Sequence, residues 1–164
     1  MTKPEKVDYK QFFGDSDPRI GYNRVWFFLM RAHRKLQPQI AKVLRDQGIS
    51  DPIWYEVLLH VEEAGEQGHL MVELETKLFV TQYALSRHIT RIEKAGYIRR
   101  AYLSDGRRRQ VLFVTDKGRG LHDRIWPAYM EAMQTELSPL MSCDEAYELA
   151  YMMLRMLPRD GPEE

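Results

Sequence analysis

The residues equipped for chemistry gather in one stretch of the 164-residue chain, between Thr81 and Arg109. Thr81, Gln82, Tyr83, Ser86, Arg87, Thr90 and Arg91 repeat at helical spacing, while Leu85, Ile89 and Ile92 fall on the other side of the same helix. One apolar stripe opposite a face of short polar and long basic groups suits a helix that enters a DNA major groove. There, amide and guanidinium donors read base edges and arginines also meet phosphates. Thr81 is placed to cap the helix, and Thr81, Gln82 and Tyr83 lie where free backbone N–H groups favour a phosphate.

A second group follows at once. In "AYLSDGRRRQVLFVT" (101–115), Asp105-Gly106 links two β-rich runs, "YIRRAYL" and "QVLFV". Asp-Gly in a short link is a hairpin signal, because Gly106 can take positive φ. Such a ribbon is too narrow to bury a core, but it can lay Arg107, Arg108 and Arg109 along or into a minor groove, whose negative potential favours guanidinium. Strand alternation sets Arg107 and Arg109 on one face and Arg108 on the other. Asp105 and Gly106 shape the turn, and one of the three arginines is a candidate partner for Asp105.

The overall charge hides this. The chain has 24 Lys+Arg and 24 Asp+Glu, a formal net charge of zero. Residues 87–109 nevertheless hold eight basic and two acidic side chains, and residues 131–164 hold eight acidic and two basic ones. A local basic field attracts polyanions whatever the total.

The positioning elements can be read outward from there. The first 16 residues are expected to form an N-terminal arm. Asp17 and Pro18 read as the start of a long helix to about residue 46, with the stripe Tyr22, Val25, Leu29, Ala32, Leu36, Ile40 and Val43. Pro38 predicts a kink in it. Ser50 and Pro52 open a second helix to about Glu63, and a third covers about 72–78. Thr81 starts the fourth, Gly96 stops it, and the hairpin follows. Thr115 reads as the cap of a fifth helix bent near Pro127. Ser142 with Glu145 forms a capping box for a last helix, about 143–157. The fold class is mainly α with a small β-hairpin: a winged helix-turn-helix core between N- and C-terminal helices.

Other chemistry is poorly represented. The five histidines show no metal-ligand spacing, so no metal or cofactor is expected. No nucleophile or phosphate-loop motif appears, so the chain does not read as an enzyme. Cys143 is a lone cysteine at a helix start. A helix start can lower a thiol's pKa and so offer a redox switch, but the favoured reading is an inert lone cysteine, which suits a reducing cytoplasm. "VWFFLM" is far shorter than the roughly 20 residues of a membrane-spanning helix, and the N-terminus lacks a signal-peptide core.

The stretches "VELETKLFVTQYALSRHITRIEKAGYIRR" and "DGRRRQVLFVTDKG" resemble the MarR (multiple antibiotic resistance regulator) winged-helix transcription factors. Ser86-Arg87, Ile92-Glu93, Gly96, Arg100, Asp105, Arg107, Arg108, Thr115 and Gly118 carry the resemblance. Gly106 departs from the family pattern by separating Asp105 from the arginines. The resemblance implies an obligate homodimer that binds pseudo-palindromic double-stranded DNA. Its division of the chain would be an arm (1–16), dimerisation helices (17–48 and 119–158), a DNA-binding domain (49–118) and a tail (159–164). Apolar runs such as "VWFFLM" and "LAYMMLRML" fit subunit contact. The expected function is a transcription regulator, as a repressor released by a small aromatic or phenolic effector. The candidate effector pocket is Tyr22, Trp26, Met30, His33, Trp54 and Trp126. The alternative is a winged-helix protein–protein interaction module that binds no operator.

Overall fold

The computed structural model describes residues 8–103 and 109–157. The chain divides into two compact units, 1–38 and 39–164. The turn 104–108, which holds Asp105, Gly106, Arg107 and Arg108, lies outside the described residues.

In the first unit, the segment expected to be a plain arm contains helix α1 (Tyr9–Phe13). Asp8 caps it by accepting from the backbone N–H groups of Lys10 and Gln11 at 3.0 and 3.2 Å. Gly14 closes it with φ of 70°. Arg24 binds both carboxylate oxygens of Asp15, at 2.6 and 2.5 Å, and its guanidinium lies 4.3 Å from the Phe13 ring centre. These contacts clasp the α1 segment onto α2 (Ile20–Asp46). Asp17 does not begin α2 directly. Its side chain holds Arg19 and its carbonyl accepts from Ile20, so one turn precedes the helix. Pro38 lies inside α2, at the division between the units.

In the second unit, α3 (Pro52–Glu63) is followed by one 3₁₀ turn, strand β1 (His69–Leu70), α4 (Met71–Leu78), α5 (Gln82–Lys94), β2 (Ile98–Tyr102), β3 (Gln110–Val114), α6 (Leu121–Leu137) and α7 (Cys143–Leu154). The expected hairpin is present, in register Ile98 with Val114 through Tyr102 with Gln110. β1 adds a third antiparallel strand, so the order is β1-β3-β2. The core joins Leu44, Ile49, Val57, Val61, Leu74, Leu85, Ile89, Ile92, Ile98, Leu112 and Ile125, all essentially inaccessible. The architecture is mainly helical with a small sheet, as the residue pattern predicted.

In the second unit the starts of α3, α5 and α7 follow capping chemistry, with two further corrections to the sequence reading. Asp51, not Ser50, caps α3, accepting from Ile53 N–H at 3.0 Å. α6 begins at Leu121 rather than just after Thr115. The Thr115 hydroxyl instead donates to the Gly96 carbonyl at 2.6 Å and accepts from Gly118 N–H at 3.2 Å, pinning a turn against the end of α5. Gly120, with φ of 64°, then starts the helix. The capping box of Ser142 and Glu145 is present at α7.

Gly118 is the tightest position in this turn. A Cβ there would meet the Tyr97 carbonyl, and Val114 Cγ2 at 2.8 Å. Gly118→Ala is therefore expected to destabilise the fold by about 1–3 kcal/mol, the usual cost of overpacking. Urea unfolding checks this, and an unchanged midpoint would refute the close approach.

Candidate nucleic-acid interface

Helix α5 is amphipathic as its sequence requires. Leu85, Ile89 and Ile92 are fully buried. Gln82, Tyr83, Arg87, Thr90 and Arg91 are exposed, and Ser86 is half-buried. The polar face is thus displayed because the apolar face is held.

Several of these side chains have work inside the molecule. The Thr81 hydroxyl accepts from Ala84 N–H at 3.3 Å, which makes it the α5 cap. The Thr90 hydroxyl donates to the Ser86 carbonyl at 2.9 Å and accepts from Arg100 Nη2 at 3.0 Å. The Arg87 guanidinium lies 5.8 Å from the Tyr83 ring centre, within cation–π range. Gln82 and Arg91 complete the exposed set.

The sheet carries further cations. Arg99 on β2 lies 4.1 Å from the Phe113 ring centre. Arg100, the next residue, turns to the other face and meets Glu93. Its Nε donates to Glu93 Oε2 at 2.8 Å, and its backbone N–H donates to Glu93 Oε1 at 3.1 Å. Lys117 Nζ donates to the Ala95 carbonyl at 2.7 Å and sits 4.7 Å from the Tyr97 ring centre. Glu93 was legible only as a piece of family pattern. Its seven-residue separation from Arg100 spans a helix end and a turn, so no periodicity points to the pair.

The start of α5 and the base of the wing border one cleft. A cleft of about 210 Å³ is lined by Leu70, Met71, Val72, Glu75, Gln82, Arg109 and Gln110. It brings Gln82, the first residue of the helix, and Arg109, the last of the arginine run, to one opening. Arg107 and Arg108 lie outside the described residues.

The candidate effector residues are divided. Tyr22, Trp26, Met30 and His33 belong to the first unit, where all four are exposed, and Trp54 and Trp126 belong to the second. Trp54 is buried, and its indole Nε1 has no hydrogen-bond partner among the described residues. Trp126 joins a ring cluster whose other members were not singled out in the sequence. It stacks on His122 at 5.4 Å and meets Tyr129 edge-on at 6.4 Å. Tyr55 packs against Tyr129 at 5.0 Å, and its hydroxyl pairs with His122 Nδ1 at 2.6 Å. Burial raises the pKa of Tyr55, with the neighbouring Tyr129 adding to it. Burial likewise raises that of Tyr129, with Glu56 adding to it. Positions 122, 126 and 129 are one turn apart, a spacing that could have disclosed the cluster.

Among the described residues, no group of three or more His, Cys, Asp or Glu could hold a metal ion, and no helix is long and apolar enough to cross a membrane. Cys143 is exposed.

Residues 47–110 match the model of the MarR family, spanning α3 through the first residue of β3. This segment is similar to the MarR family. The chain is 28% identical over 122 residues to the HTH-type transcriptional regulator TtmR of Methylorubrum extorquens (strain PA1). That alignment covers 74% of this chain but only 54% of TtmR, so the chain spans about half the length of this curated relative. Among solved structures, the MarR family transcriptional regulator Sco3205 from Streptomyces coelicolor, in complex with DNA, superposes with a TM-score of 0.74. It is 22% identical, covering 87% of this chain and 91% of that one. NadR in complex with 4-hydroxyphenylacetate superposes with a TM-score of 0.60 at 21% identity, covering 94% of this chain and 97% of that one. These likenesses establish a MarR-type winged-helix fold.

Glu93 gives this region a pH signature. The Arg100 side chain, donating to its carboxylate, holds its pKa below the ordinary range despite partial burial. A group depressed in the folded state stabilises above its unfolded pKa, about 4.3, and loses that contribution as pH falls through its folded value. Glu93→Gln should therefore flatten part of the acid limb of stability below about pH 5. Urea midpoints across that range check this, and identical limbs in both proteins would refute the pairing.

Proposed function

We propose that this chain is a dimeric, sequence-specific DNA-binding transcription regulator, a repressor released by a small aromatic or phenolic ligand. The observation that carries the reading is the cleft shared by Gln82 and Arg109. It sets the start of an exposed polar-basic helix beside the base of an arginine-bearing hairpin. That is the juxtaposition needed to place one element in a major groove and the other against the adjoining backbone. The DNA complex of Sco3205 supports the same use of this fold. In this division of labour, Gln82, Tyr83, Ser86, Arg87 and Arg91 select sequence, with Thr81 and Thr90 at the margins of that face. Arg107, Arg108 and Arg109 supply affinity through phosphates and the minor groove.

Dimerisation is supported by large apolar side chains left exposed in one chain. They include Trp26, Phe27 and Phe28 on α2, and Tyr151, Met152, Met153 and Leu154 on α7. Large apolar side chains exposed in this number on a helix mark a surface that meets another chain. A two-fold partner would set the two recognition helices roughly 34 Å apart, one turn of DNA. The division into arm, dimerisation helices and DNA-binding domain is proposed on the same basis. An aromatic effector is supported by the ring cluster of Trp126, His122, Tyr129 and Tyr55 and by the 4-hydroxyphenylacetate bound to NadR.

Selection of bound fragments from a random duplex pool tests the reading directly and supplies an operator. Wild type should enrich a pseudo-palindrome, and affinity should fall steeply with salt. Replacing Arg107, Arg108 and Arg109 together by Ala should weaken binding to all duplexes. It should also flatten the salt slope by up to about 0.9 for each phosphate that is no longer neutralised. Gln82→Ala or Arg87→Ala should instead change the enriched sequence. Failure to bind any duplex at low salt, with the protein folded and associating with an acidic protein, would favour the interaction-module alternative. Adding 4-hydroxyphenylacetate to the operator complex tests release.

A further inference from the structure

We propose that Arg100 is not a phosphate anchor but a positioning residue. With Glu93 and Thr90 it locks the wing to the recognition helix, and through that angle it sets sequence discrimination rather than general affinity. The inference rests on the DNA-binding reading above and goes beyond it, because none of these three groups needs to touch a base to act.

By type and place, Arg100 belongs to the basic patch. By geometry it is withdrawn from it. Its side chain is only 18% exposed and its Nη2 lies 2.7 Å from Glu93 Oε2. Nε donates to the same oxygen, while the other carboxylate oxygen of Glu93 accepts from the Arg100 backbone N–H. One carboxylate from the last turn of α5 therefore grips both the side chain and the main chain of a residue in β2. Nη2 also reaches the Thr90 hydroxyl at 3.0 Å, and that hydroxyl is held in turn by the Ser86 carbonyl at 2.9 Å. The lock engages two successive turns of the helix, at positions 90 and 93. It resists pivoting as well as sliding, which a single contact would not.

The position of the lock gives it leverage. Arg100 sits mid-way along β2, and the hairpin extends beyond it to the Leu103 N–H, which bonds the Arg109 carbonyl at 3.0 Å. At about 3.3 Å per residue, Leu103 is about 10 Å from the lock, so a 10° pivot moves it by about 2 Å. With the wing seated on the DNA backbone, a pivot of that size at the joint shifts α5 against the base edges by more than a hydrogen bond tolerates. Attraction between a guanidinium and the phosphate chain is far less sensitive to it. Loosening the lock should thus spoil the fit to one sequence and leave non-specific binding almost intact.

The test uses full-length Arg100→Lys, Glu93→Gln and Thr90→Val, with Arg91→Gln as a comparison on the exposed face. Each binds the operator enriched by wild type and a scrambled duplex of equal length, across a salt series, after thermal unfolding confirms folding. Arg100→Lys and Glu93→Gln should each lower the operator-to-scrambled affinity ratio at least tenfold, and Thr90→Val about threefold, with the scrambled-duplex salt slope unchanged. Arg91→Gln, which removes a cation from the reading face where arginines also meet phosphates, should lower that slope by up to about 0.9. Arg100→Gln completes the set. If it lowers the scrambled-duplex slope by the same amount, Arg100 is a phosphate contact and the inference is wrong. If Glu93→Gln and Thr90→Val fold and keep the wild-type ratio, the lock is structural only and the inference is equally wrong. If wild type itself shows no preference between the duplexes, the DNA-binding reading fails instead.

Discussion

Burial of Leu85, Ile89 and Ile92 is the constraint from which the rest of the winged domain follows. Each of the three is fully removed from water, a gain of about 1.5–3 kcal/mol per side chain. They pack in one cluster with Val57, Val61, Leu74, Ile98 and Leu112, drawn from α3, α4, β2 and β3. A helix of 3.6 residues per turn cannot bury three such positions without turning Gln82, Tyr83, Arg87 and Arg91 outward. The display of the polar face is therefore a by-product of packing. Its rigidity is that of the core beneath it.

Charge is handled differently. With formal neutrality overall, the basic segment 87–109 owes its character to local accumulation, and the fold then engages part of that accumulation in contacts of its own. Arg100 is spent on Glu93, and Arg99 rests on Phe113 while staying exposed; just outside the segment, Lys117 caps the carbonyl of Ala95. A count of basic residues overstates the charge offered to a polyanion and misses the mechanical use of the remainder. The same type of side chain is a ligand for solvent-borne phosphate in one place and a fastening in the next.

Most of the architecture was legible because it rests on local rules. The α5 stripe, the Thr81 and Ser142 caps and the β2–β3 pairing each follow from spacing or capping chemistry. What escaped was set by contacts distant in sequence or by very short elements. β1 has two residues, too few for any alternation, and exists because β3 offers an unpaired side. The delayed start of α6 depends on Thr115 reaching Gly96 and on Gly118 fitting against Tyr97, which no window around residue 115 contains. The turn of helix at Tyr9–Phe13 is fastened by Arg24, beyond the stretch read as an arm. In the candidate site, the helix face was legible residue by residue, whereas the Glu93–Arg100 fastening and the Tyr55–His122 bond join elements that only the fold brings near.

The strand order β1-β3-β2 leaves β2 on the rim of the sheet. A rim strand presents unpaired backbone groups, a standing invitation for another chain to add itself and begin aggregation. Arg99 and Arg100 sit side by side in the middle of this strand, one on each face. A foreign strand docking there would have to lie alongside adjacent guanidinium groups and displace one from its carboxylate. The same two arginines thus give the exposed rim a measure of protection against misassembly, one that holds whether or not nucleic acid is present.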